Sequence, residues 1–132
     1  MALIGLDTSR WPIVVVTPPA SVTNAELAVF LERYAKEVYE RRQRYVTILD
    51  LRRSGDMPAA QRKMITDRMQ QKEEAARLFA AGNVMIFDSA LMRALLTAIL
   101  WVRKPPTEMK IAATLDEALG LAQSFLKTRN VA

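Results

Sequence analysis

The chain of 132 residues contains no cysteine and no histidine. Their absence excludes a cysteine nucleophile, a Ser-His-Asp triad, a Cys/His zinc site and a His-ligated haem within this sequence. Only four glycines are present, and they are scattered (Gly5, Gly55, Gly82, Gly120). Neither a phosphate-binding loop nor a dinucleotide fingerprint can be drawn from them. Aromatic residues make up 7% of the chain, too few and too dispersed for a nucleic-acid stacking platform. The longest mostly apolar run, Ala94 to Val102, falls far short of the ~20 residues that span a bilayer. The first residues, Met1 to Asp7, have neither the basic start nor the small-residue cleavage pattern of a signal peptide, so a cytoplasmic home is the default expectation.

What is present fits one soluble domain covering residues 1–132: 51% hydrophobic and 25% charged residues are ordinary globular proportions. The net charge of +5 is concentrated in residues 41–63, where seven basic side chains face only Asp50 and Asp56. Within that stretch Arg41, Arg42, Arg44, Arg52 and Arg53 form a candidate anion-attracting patch. The plainer alternative is a solvated surface with arginine stems lying along the core edge. Tyr45 is the only aromatic in the stretch, and no helix-turn-helix or RNA-recognition pattern is visible, so specific nucleic-acid binding is not expected.

Along the chain, Ala2 to Leu6 reads as a short strand, Asp7 to Arg10 as a turn, and Pro12 to Thr17 as a β-branched strand stopped by Pro18-Pro19. The tight spacing predicts an antiparallel hairpin. Thr23-Asn-Ala-Glu26 is a capping box, opening a helix that runs to about Arg42 with Leu27, Phe30, Leu31, Tyr34 and Val38 at helical spacing. Tyr45 to Leu51 is a central strand. Pro58 suits the start of a second helix, with Gln61 to Phe79 free of breakers and Gly82 at the expected stop. Val84 to Phe87 is a strand. Asp88-Ser89 opens a third helix reaching Val102, ended by Lys104-Pro105-Pro106. Met109 to Ala113 is the last strand, and Thr114 to Glu117 a second capping box before the final helix. The order β-β-α-β-α-β-α-β-α predicts an α/β fold: about five mostly parallel strands, an N-terminal antiparallel hairpin and four helices. Val14, Val16, Ile48 and Ile86 are expected in its core.

This order, with the central Ile48-Leu49-Asp50-Leu51 strand, resembles the STAS domain, and more closely its SpoIIAA-like branch, which is related to lipid-binding SEC14 domains. The resemblance covers about residues 2–128. It rests on the element order, a long second helix, a fourth strand leading into an apolar helix, and Asp116-Glu117-Ala118 in the last helix. It implies a regulatory or protein-interaction module. The phosphorylated serine of classical anti-sigma antagonists follows an aspartate after the Leu-Asp-Leu strand. Here Arg53-Ser54-Gly55-Asp56-Met57-Pro58 lacks that Asp-Ser order, so no such phospho-switch is expected and Ser54 reads as a turn residue.

Asp50 at a strand end invites comparison with phospho-accepting receivers. The acidic pair and the lysine that such sites need are misplaced, because Asp7 and Lys104 fall on the wrong elements. Asp67, Glu73 and Glu74 alternate with Arg68, Lys72 and Arg77 at spacings that suit surface ion pairs rather than acid–base catalysis. No catalytic residue, cofactor or metal is expected. The helix from Ser89 to Val102 is the most informative segment: it is apolar nearly all round, and Arg93 is its only charge. Three readings fit it, namely a deeply buried helix, a self-association surface, or the wall of a pocket for an apolar ligand. The reading taken is a non-enzymatic interaction or regulatory module that forms a homodimer, with Met92, Leu96, Ile99 and Trp101 as the candidate interface. Replacing Ile99 or Trp101 with Glu is then expected to leave a folded monomer. The alternative is a small binding protein for a lipid or other apolar ligand, and a second protein is a further candidate partner.

Overall fold

The computed structural model describes residues 4–102 and 107–128. Five strands form one sheet in chain order: β1 (Gly5–Arg10), β2 (Ile13–Thr17), β3 (Tyr45–Asp50), β4 (Ala80–Ile86) and β5 (Met109–Ala112). β1 runs antiparallel to β2, with Leu6 opposite Val16, and the other three pairings are parallel. This is the expected hairpin followed by helical crossovers between parallel strands. Ala2 and the helix-ending Lys104-Pro105-Pro106 lie outside the described residues.

The turn assigned to Asp7–Arg10 is instead the second half of β1, and the chain reverses at Trp11-Pro12. β1 is an edge strand with one face in water, so its polar residues alternate with the buried Leu6 without breaking the ladder. The first helix, α1 (Asn24–Glu37), starts at the capping box: Thr23 Oγ1 accepts from the Glu26 amide at 3.1 Å, and Glu26 Oε1 accepts from the Thr23 amide at 2.8 Å. It ends at Val38, earlier than expected. A 3-10 turn (Tyr39–Arg41) follows, closed by Arg42 in the left-handed region at φ 49°.

Among the described residues five α-helices replace the expected four. The segment expected as one helix from Gln61 to Phe79 is two, α2 (Ala59–Gln71) and α3 (Glu73–Phe79), joined at Lys72 with φ −110°. Gly82 does not stop a helix either. It sits inside β4, which begins at Ala80. α4 (Ala90–Val102) and α5 (Leu115–Thr128) complete the chain.

The strands separate two cores. On one face Val14, Val16, Tyr45 and Ala80 pack with Leu27 and Val38, and with Met64, Ile65, Ala76 and Phe79 from α2 and α3. On the other, Ile13, Val15, Val46, Ile48, Val84, Ile86 and Ala112 pack under α5 through Ala118, Ala122 and Phe125. The expected core residues Val14, Val16, Ile48 and Ile86 are all buried. Because β2 to β5 follow one another across the sheet, right-handed crossovers place the connecting helices on one face. Among the described residues, only α5 covers the opposite face.

Candidate functional site

α4 is the exception to the packing of the other helices. None of its residues is buried, which removes the deeply buried reading. Its start is capped by Ser89, whose Oγ accepts from the Met92 amide at 3.2 Å. Its principal neighbour is the last strand, β5. Arg93, Leu96 and Leu100 are half-buried, a stripe at spacings of three and four that faces the sheet. Leu91 (81%), Leu95 (54%), Trp101 (83%) and Val102 (90%) stay largely in water, and Met92 and Ile99 are exposed as well. The one charge on the helix does not offset this, because the Arg93 guanidinium turns back to donate to the Phe87 carbonyl at 2.8 Å. The outer surface of α4 is therefore uncharged and, apart from Thr97, apolar.

The four candidate interface residues divide by position. Leu96 faces inward and supports the helix from below. Met92 and Ile99 share one flank. Trp101 lies about 200° round the helix from Ile99, on the opposite flank. On Trp101's side the structure opens into a groove of about 850 Å³. Ala94, Thr97, Ala98 and Trp101 form one wall, and Ile111 and Ala113 lie along β5 and its exit. Arg93 and Glu117 are its charged members. Ile111 alternates with Ala112, which packs under α5, so α4 and α5 lie on opposite faces of β5. A groove touching both helices has to pass around the outer edge of that strand.

The arginines that adjoin in sequence do not adjoin in space. Arg41, Arg42 and Arg44 precede β3, whereas Arg52 and Arg53 follow it, and the six-residue strand sets the groups roughly 20 Å apart. Several of them have local roles. Arg41 lies over the Trp11 ring at 4.2 Å and Arg42 over Phe79 at 5.0 Å. Arg44 donates to the carbonyls of Leu126 and Phe125 at 2.7 and 2.9 Å, closing the last turns of α5. Arg52 holds Asp50 with two hydrogen bonds of 2.9 and 2.7 Å, and this guanidinium keeps the Asp50 carboxyl below the usual carboxylate range. Ser54 Oγ donates to the Leu51 carbonyl at 2.9 Å, the expected turn role.

Among the described residues no three acidic side chains gather to hold a metal ion, and no helix is long and apolar enough to cross a membrane. Two features of the site were not read from sequence: the inward turn of Arg93, and the reach of Glu117, expected to cap its own helix, to the amide of Ala113 at the exit of β5. Glu117 Oε1 accepts from the Ala113 amide at 3.2 Å, while Thr114 Oγ1 caps the Glu117 amide. The Thr114–Glu117 spacing was the available signal for that cap.

No family model and no curated protein matches the sequence. A crystal structure of an uncharacterized protein of the DUF3478 family from Shewanella loihica PV-4, described as having a SpoIIAA-like fold, is similar in fold. The two superpose with a TM-score of 0.66 at 12% sequence identity, over 90% of this chain and 91% of that chain. The fold is SpoIIAA-like, as the strand order and the two-faced arrangement of helices suggested.

Proposed function

We propose that the chain is a non-enzymatic interaction module of SpoIIAA-like type, and that it forms a homodimer through the side of the molecule built by α4. The exposed apolar surface of this helix carries the reading. Its six large exposed side chains present on the order of 800 Å², above the few hundred Å² at which an exposed apolar patch marks an interaction site. Leaving each of them in water forgoes roughly 1.5–3 kcal/mol. An uncharged patch is compatible with its own symmetry mate, since a two-fold contact uses one surface twice.

A second reading has one specific observation behind it. The groove beside Trp101 is large enough for a small ligand, is walled mainly by apolar groups and carries Arg93 and Glu117. In that reading the module holds an apolar molecule there.

Sedimentation equilibrium at micromolar concentration tests the first reading. The wild type is expected as a dimer, and Trp101→Glu as a monomer with an unchanged circular dichroism spectrum. A wild type that stays monomeric across the range contradicts it.

A further inference from the structure

The outer edge of β5 is the open edge of the sheet nearest α4. Hydrogen bonds from the Asn83 and Phe87 amides to the carbonyls of Glu108 and Ala112 show which β5 residues face β4. Since backbone groups alternate along a strand, Met109, Ile111 and Ala113 direct theirs away from the sheet. No further strand meets that edge among the described residues. Among the described residues, the one outward amide closed off is that of Ala113, by the Glu117 carboxylate.

The geometry points to this edge as the seam of the dimer: β5 of a second copy adds antiparallel to β5, extending the sheet across the two-fold axis. This inference rests on the self-association proposed above and specifies its contact. The charges choose the register. Outward-facing residues must oppose one another, which leaves a small set of symmetric alignments. Centring the axis on Ile111 sets Met109 against Ala113, whose amide is already occupied. Centring it on Lys110 sets two lysines face to face, and an alignment one step before Met109 does the same with two Glu108 side chains. Like charges directly opposite are unfavourable. Centring it on Met109 puts Glu108 of each copy against Lys110 of the other, twice over, in the close non-hydrogen-bonded positions. A two-fold axis normal to the sheet also brings the two α4 helices to the same face. Their groove flanks, with Trp101, then meet above the seam. Ile99, on the other flank, lies away from it.

The absence of cysteine gives a clean test. In this register the two Met109 residues form a hydrogen-bonded pair with Cα atoms about 5.5 Å apart, within the roughly 4.4–6.8 Å that a disulfide spans. Met109→Cys is therefore expected to form a covalent dimer under mild oxidation, reversed by a thiol reductant. Lys110→Glu should weaken association on the order of tenfold, and adding Glu108→Lys should restore it. A wild-type dimer that gives no Met109→Cys crosslink, or that is indifferent to Lys110→Glu, overturns the edge pairing while leaving self-association standing. A monomeric wild type overturns both.

Discussion

The ring of Phe125 lies on the backbone of Gly82, so close that a Cβ at position 82 would stand 2.6 Å from the ring carbons. This contact seats α5 on β4, and Phe125 is 4% exposed with little room to withdraw. Gly82→Ala is expected to destabilise by about 1–3 kcal/mol through overpacking. Gly120, inside α5, has nothing within 4 Å of its Cβ position. Gly120→Ala is expected to stabilise by roughly 0.5–1 kcal/mol, because a helix interior favours alanine. Denaturant midpoints at unchanged slope read both effects. Equal shifts of the same sign would contradict this account of the α5 seat.

Tyr34 and Thr47 share a hydrogen bond of 2.6 Å between α1 and the sheet, and burial pushes the Tyr34 phenol far above its ordinary pKa. Tyr34→Phe leaves the Thr47 hydroxyl buried without that partner, at an expected cost of about 1–3 kcal/mol. The double variant Tyr34→Phe/Thr47→Val should recover part of the loss, since both polar partners are then gone. Strictly additive losses in chemical denaturation would show that the bond has no energetic coupling.

The Asp50 carboxyl, lowered by its hydrogen bonds with Arg52, predicts a pH dependence with a definite sign. A depressed folded-state pKa contributes stability that is present above the ordinary carboxylate value and lost as pH falls through the lower one. The pair lies at the surface, with the Arg52 side chain about a third exposed, so the contribution at neutral pH is at most about 1 kcal/mol. Asp50→Asn should therefore be slightly less stable than wild type near neutrality, with the gap closing in acid. Stability curves measured across the carboxylate range decide it, and a gap that widens in acid would refute the assignment.

Much of the fold was legible because its signals are local. The β-branched run Ile13–Thr17, the strand at Tyr45 and the Thr23–Glu26 box each carry their own punctuation. The departures have physical causes. No glycine or proline marks the break at Lys72. Gly82 resembles a helix stop, but a ring from α5 is what requires its missing side chain. In α4 nearly every position is apolar, so periodicity could not say which stripe faces inward. The inward turn of Arg93 depends on the Phe87 carbonyl, a tertiary partner invisible to spacing. The arginine cluster was contiguous only in sequence, because β3 carries its two halves to opposite ends of the sheet.

Native mass spectrometry of the purified wild type tests the central claim most directly, because one spectrum reads both association and ligand. The expected species is a ligand-free dimer at twice the 14.9 kDa chain mass. A monomer carrying a small apolar molecule would contradict it, and would assign the groove beside Trp101 to a ligand rather than to a second copy of the chain.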